Sequence, residues 1–234
     1  MTTAKHSPDA HADTLILVPT ELERRRLLDL GGFPAAAGRV ELCGFGPIAA
    51  AARSAQILAQ SRPARVLLIG ICGAYDSAQH AVASALEFDE VAVEGVGVGE
   101  GAALIPPPRL GFPQWPGADG RSAIFDRLPL SAPRGSGPAR LLLTTCAASA
   151  DHAQAEQRRS RMPDAVAEDM EGFAVALACA LAGVPLRIVR GVSNEVGDRR
   201  PEHWRIPGAL SAARELALEV LEAPASWGEG APRP

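Results

Sequence analysis

Two rhythms of apolar and polar positions run through this chain: short apolar runs of strand length and longer stretches with helical spacing. Thr14-Leu15-Ile16-Leu17-Val18 is a continuous run that predicts a strand buried on both faces, and Pro19 stops it. Thr20 with Glu23 three residues later forms a capping box, predicting a helix from there to about residue 30, where Gly31-Gly32 ends it. Residues 38–45 read as a second strand and the Ala-rich stretch 48–60 as a helix broken by Pro63. Val66-Leu67-Leu68-Ile69-Gly70 is a third buried strand. Residues 86–99 alternate as one strand, with Val91, Val93, Val96 and Val98 apolar and Glu90 and Glu94 polar. Leu141-Leu142-Leu143-Thr144-Thr145 is another strand, and 151–161 a polar helix. The acidic cluster Glu168, Asp169 and Glu171 then opens an apolar helix that runs to Leu181, with Gly183 and Pro185 beyond it. Residues 186–192 form the next strand, and 207–221 the last helix, which puts Leu210, Ala213, Leu216, Ala217 and Val220 on one face.

Strands alternating with helices predict an α/β chain: one three-layer domain with a central mixed, largely parallel sheet flanked by helices. The domain is expected over 14–222, between a disordered tail at 1–13 and a flexible tail at 223–234. Residues 105–138 are rich in proline and lack periodicity, as a functional lid or a surface insertion does.

Composition narrows the partners. The 234 residues are 47% hydrophobic and 21% charged, ordinary for a soluble globular protein, and a net charge of -4 gives no reason to expect nucleic acid or a membrane surface. No run of about 18 apolar residues suggests a membrane span, and the polar start lacks the apolar core of a signal peptide. Cys43, Cys72, Cys146 and Cys179 lie in or beside apolar runs without a CxxC, so reduced thiols and a cytoplasmic location are expected.

Three local features carry candidate chemistry. Glu23 is a capping-box residue, but it also follows the first strand, where it could orient a water molecule. The acidic cluster could serve the helix dipole, yet three acids in four residues exceed that need, and a carboxylate can accept both hydroxyls of a ribose diol. Asn194 could cap a turn or offer its amide to a purine edge. Gly95-Val96-Gly97-Val98-Gly99 leads into Pro106-Pro107-Pro108 and no helix, so it is no dinucleotide fingerprint. The histidines lack ligand spacing, so neither metal nor cofactor is expected.

Taken in order, Val18-Pro19-Thr20-Glu21-Leu22-Glu23, Gly44-Phe45-Gly46, Ile69-Gly70-Ile71-Cys72-Gly73-Ala74, Glu168-Asp169-Met170-Glu171-Gly172 and Arg190-Gly191-Val192-Ser193-Asn194 resemble the nucleoside phosphorylase/nucleosidase family. This is the family that includes methylthioadenosine/adenosylhomocysteine nucleosidase. The pattern is most similar to a branch that acts on a hypoxanthine nucleoside of a menaquinone route, with Ser193 to Arg199 and Trp204 carrying the likeness. The resemblance implies that Glu23 activates water, Met170 and Glu171 hold the ribose, and Cys72 and Gly73 line the base with backbone. Ser193 and Asn194 would sit at the base. Asn194 stands where the adenine-directed nucleosidases carry an Asp. An amide can donate to the O6 and N7 acceptors of hypoxanthine, whereas a carboxylate would face O6 with the wrong sign. Leu68 and Ile71 stand where the phosphorylases bind phosphate, which favours hydrolysis. Arg199 is a candidate for a carboxylate on the 5′ side of the substrate, and Ala148 stands where a related nucleosidase stacks a Phe on the base. Family resemblance also implies a homo-oligomer, at least a dimer. An adenine-releasing nucleosidase, a purine nucleoside phosphorylase and a non-catalytic nucleoside-binding protein remain the alternatives.

Overall fold

The computed structural model describes residues 14–118, 120–132, 139–223 and Trp227; the two tails, apart from Ala223 and Trp227, and part of the proline-rich stretch lie outside these residues. The order is β1 (Thr14–Val18), α1 (Glu21–Asp29), β2 (Arg39–Leu42), α2 (Gly46–Ser61), β3 (Arg65–Ala74), β4 (Ala85–Glu87) and β5 (Glu90–Glu94). It continues with α3 (Pro107–Leu110), β6 (Arg127–Pro129), β7 (Leu141–Thr145), α4 (His152–Arg161), β8 (Ala165–Asp169), α5 (Gly172–Ala182), β9 (Leu186–Glu195) and α6 (Ile206–Glu222).

The nine strands among the described residues form one sheet, with order β2-β1-β3-β8-β7-β5-β6 and with β9 joined to both β3 and β4. Pairings along β2-β1-β3-β9 and β5-β7-β8 are parallel, while β3-β8, β4-β9 and β5-β6 are antiparallel. The mixed, largely parallel sheet is the one the alternation predicts. The long strand β3 joins its two halves. Its start pairs with β1, its last two residues pair with β8, and β9 follows it throughout.

Alternation along the central strands makes the layers. Leu15, Leu17, Val66 and Leu68 face one core with α2 and α5, while Ile16, Val18, Leu67 and Ile69 face a second with α6. A third, smaller cluster joins Leu141, Leu143 and Val196 to Ala155 of α4. With such double-sided burial, strands read as unbroken apolar runs.

Three expectations differ from the structure. The stretch 86–99 is two elements, β4 and β5, which break at Phe88-Asp89; beyond Glu94, Gly95 has φ 94° and the strand ends. The acidic cluster straddles two elements: Glu168 and Asp169 lie on β8, while Glu171 is the N-cap residue of α5, which begins at Gly172. Within 105–138, the described residues hold the single turn α3, the short strand β6 and a Trp115–Ile124 bridge. Arg121 fastens this excursion by donating to the Ala180 and Leu181 carbonyls at the end of α5.

Candidate active site

A cavity of about 350 Å³ opens where β1, β3, β8 and β9 end. All eight residues singled out from sequence line it: Glu23, Cys72, Gly73, Met170, Glu171, Ser193, Asn194 and Arg199. Strand ends gather residues that are far apart in sequence, which is why α/β sheets place their ligands there.

One end of the cavity is built of carboxylates around a buried arginine. The capping box of α1 is formed in full: Thr20 Oγ1 accepts from the Glu23 amide at 3.2 Å, and Glu23 Oε2 accepts from the Thr20 amide at 3.0 Å. Glu23 Oε1 also accepts from the Ile71 amide on β3, at 3.1 Å. The cap and the pocket therefore share one side chain, and Glu23 is only 4% exposed.

Glu171 does not cap its own helix; its Oε1 accepts from the Gly46 amide at the start of α2, at 2.9 Å. This ties the carboxylate to a different helix N-terminus. Its Oε2 accepts from Arg190 Nη2 at 3.3 Å, and the same nitrogen donates to Asp169 Oδ2 at 2.6 Å. Asp169 is held in turn by Thr144 Oγ1 at 2.6 Å and the Gly172 amide at 2.8 Å. Burial pushes the Glu171 carboxyl up to about 7; Asp169 and Glu23 push the same way, against Arg190 and the Gly46 amide.

Arg190 is fully buried, and its Nε and Nη1 have no hydrogen-bond partner among the described residues. Gly70 makes room for it. A Cβ there would collide with Arg190 Nη1 and stand 2.7 Å from Glu23 Oε1. Glu23 and Arg190 thus converge over a residue that has no side chain.

The other end of the cavity is set by β3, β9 and the segment after β7. Ser193 Oγ has one proton to share between the Cys72 carbonyl at 3.1 Å and Asn194 Oδ1 at 2.8 Å. Asn194 Nδ2 donates to the Glu195 carbonyl at 2.7 Å and makes a long contact of 3.4 Å with that of Asp198. The thiol of Cys72 is buried and pushed up to about 12 by desolvation, so it contributes wall and backbone. Arg199 stacks on Trp204, 4.9 Å from the ring centroid, and both reach the cavity. Arg200 instead forms a two-point pair with Asp198. Phe45 and Leu22 also line the cavity although 66% and 55% exposed, so its wall continues into open apolar surface.

Sequence reasoning left Asp169, Arg190, Glu168 and Ser149 out of the site. A signal was present. Arg190 interrupts the run Leu186 to Val192, and an arginine inside a buried strand demands carboxylate partners. Glu168 lines the cavity and accepts from the Ser149 amide at 2.7 Å, Ser149 Oγ at 2.8 Å, Tyr75 Oη at 2.9 Å and Arg158 Nη1 at 3.1 Å.

Residues 38–223 match the Phosphorylase superfamily. Among curated proteins, the chain is 34% identical to the futalosine hydrolase of Thermus thermophilus over 184 residues, 76% of this chain and 78% of that protein. It is 42% identical over 86 residues to the futalosine hydrolase of Streptomyces coelicolor, a match that spans 37% of each. The similar match in Acidothermus cellulolyticus spans 34% of that protein, so with these two the chain aligns over about a third of their length. Among solved structures, a methylthioadenosine/adenosylhomocysteine nucleosidase of Colwellia psychrerythraea with adenine aligns with TM-score 0.68 and 20% identity, over 93% of this chain and 96% of that one. The futalosine hydrolase of Helicobacter pylori aligns with TM-score 0.68 and 14% identity, over 91% and 97%. These two share the fold with this chain. The family match covers most of the chain and agrees with the order of motifs along it: the chain belongs to the phosphorylase superfamily.

Proposed function

We propose that the chain is an N-glycosyl hydrolase that splits futalosine into hypoxanthine and dehypoxanthine futalosine, a step of menaquinone biosynthesis. The observation that carries this is the shape of the cavity's two ends. One holds Glu23 and Glu171 beside a buried Arg190, and the other an amide, Asn194, where an adenine-directed site would carry an acid. The identity with the Thermus thermophilus futalosine hydrolase supports the substrate.

Each residue then has a task. Glu171 accepts the ribose hydroxyls and Met170 packs on the sugar. As the glycosidic bond lengthens, positive charge builds on the sugar ring, and the carboxylate beside it stabilises that charge. Glu23, fixed on two sides by Thr20 and Ile71, takes a proton from the attacking water. A general base contributes about 10²–10⁴-fold. Hypoxanthine departs against backbone at Cys72 and Gly73. The Asn194 amide exchanges its 3.4 Å contact with Asp198 for an acceptor on the purine. Asn194 has no proton to give, so the base leaves as a hydrogen-bonded purine anion; it takes up a proton from solvent to become hypoxanthine, and Glu23 gives the water's proton back to solvent.

Hydrolysis is favoured over phosphorolysis. Leu68 is fully buried in the core, and the Ile71 amide is already committed to Glu23, which leaves no anion cradle at that turn. Arg199, stacked on Trp204 at the cavity edge, meets the carboxylate on the substrate's 5′ side. The open apolar wall at Phe45, with Ile48 beside it 83% exposed, suits a second copy of the chain, hence at least a dimer. Four free cysteines suit the cytoplasm. The test of substrate is base release: hypoxanthine from futalosine, with methylthioadenosine left intact. Adenine from methylthioadenosine and no hypoxanthine would overturn the assignment.

A further inference from the structure

A capping box asks two hydrogen bonds of its first residue: the hydroxyl oxygen accepts from one amide, and the backbone amide donates to the carboxylate. Thr20 makes both, and a third that the box does not need. Its Oγ1 donates to Glu23 Oε2 at 2.5 Å. The neighbours fix the direction of that proton. Thr20 Oγ1 accepts from the Glu23 amide at 3.2 Å, and a backbone N–H can only donate. The hydroxyl's own proton turns to the carboxylate, which as an anion can only accept. Thr20 itself stands in the cavity wall, where the chain leaves β1.

The start of α1 does not require this arrangement. A second acid of its first turn, Glu21, pairs at the surface with Arg24 at 2.7 Å and Arg25 at 2.8 Å, and so already answers the helix dipole. Glu23 is buried against the cavity instead, where water competes little for its hydrogen bonds. A carboxylate has about four acceptor directions, two on each oxygen. Oε2 takes both the amide of Thr20, at 3.0 Å, and its hydroxyl, so its directions are used. Oε1 takes the Ile71 amide at 3.1 Å, which leaves one direction, on Oε1, for a further donor. Without the Thr20 hydroxyl, a direction would open on each oxygen. Water would then have two places to bind, one of them misaligned with the sugar.

We propose that Thr20 is a positioning residue for the hydrolysis: its hydroxyl fills the second acceptor direction of Oε2 and so leaves Oε1 as the single oxygen through which Glu23 receives the proton of the attacking water. As the water oxygen bonds to the anomeric carbon, the electron pair of the breaking O–H bond stays on that oxygen and the proton passes to Oε1. The proton of Thr20 stays on Thr20 throughout. This rests on the hydrolase reading above and names the residue that orients its base.

The experiment measures kcat and KM for hypoxanthine release from futalosine in the wild-type protein and in Thr20→Val, Thr20→Gly and Thr20→Ser, with a melting curve for each. Val keeps the shape of Thr and removes the hydroxyl. Gly also removes it but serves an N-cap about as well as Thr, so it separates positioning from capping. In both, kcat is expected to fall about 10–10²-fold, as for a slightly misplaced reacting group, with KM little changed. Thr20→Ser restores the donor and should recover most of that rate. An unchanged kcat in the Val and Gly variants, whatever their melting temperatures, would leave Thr20 as a cap and overturn the proposal. A loss seen in KM alone, or a Ser variant as slow as the Val variant, would overturn it too. Wild-type protein that releases no hypoxanthine from futalosine would instead overturn the hydrolase reading on which it stands.

Discussion

Gly70→Ala is the smallest change that tests how the carboxylate end is packed. Gly70 lies within β3 and is not among the glycines with positive φ, so alanine meets no backbone strain there. On backbone entropy alone the change should stabilise, by about 0.5–1 kcal/mol. The added methyl, however, has nowhere to go. It collides with Arg190 Nη1, comes to 2.7 Å from Glu23 Oε1 and to 3.2 Å from Pro19 Cδ. Arg190 is fully buried and pinned by Asp169 at 2.6 Å, so it cannot swing into solvent. Overpacking of this kind costs about 1–3 kcal/mol. For a chain of this size, that is a fall of about 2–12 °C in melting temperature. A displacement of Glu23 by about 1 Å from the attacking water costs about 10²-fold in rate. Calorimetry with steady-state kinetics on hypoxanthine release gives both numbers. A variant as stable and as active as wild type would refute the claim that Glu23 and Arg190 converge over Gly70.

Three further predictions follow from the same residues. Glu23→Gln should lower kcat by about 10²–10⁴-fold with little change in KM, and should also cost about 1–3 kcal/mol, because its one amide oxygen can serve only one of the Thr20 and Ile71 amides. Loss of stability with retained turnover would make Glu23 a cap and nothing more. Burial raises the Glu171 carboxyl from its usual 4.5 to about 7, so the folded state holds that proton more tightly than the unfolded chain. The stability this gives is present below pH 4.5 and is lost as pH rises toward 7, by up to about 3 kcal/mol. In denaturant titrations Glu171→Gln should therefore gain on wild type between pH 5 and pH 8, and a constant difference would contradict the account. Arg199→Ala should raise KM for futalosine while leaving KM for an analogue without the 5′-side carboxylate unchanged; equal KM values for futalosine in variant and wild type would remove Arg199 from the site.

The sequence was most legible where local pattern and function coincide. Thr20 and Glu23 announce a helix start and deliver a carboxylate to the cavity by the same hydrogen bonds. The apolar runs of β1, β3, β7 and β9 were plain because both faces of these strands are buried. Glu168 and Asp169 were misleading for a physical reason. Acids beside an apolar helix look like helix-dipole partners, and their burial on β8 depends on Arg158, Arg190 and Thr144, which come from other strands and helices. The same holds for the end of β3. The apolar run predicts a strand that ends at Gly70, but pairing with β8 and β9 keeps Ile71 to Ala74 extended as well.

The central claim, that water and not phosphate attacks the sugar, is tested most directly by following futalosine turnover in phosphate-free buffer and again with phosphate added. The account predicts the same rate of hypoxanthine release in both, with the unphosphorylated sugar product each time. Turnover only with phosphate, giving a sugar 1-phosphate, would contradict it.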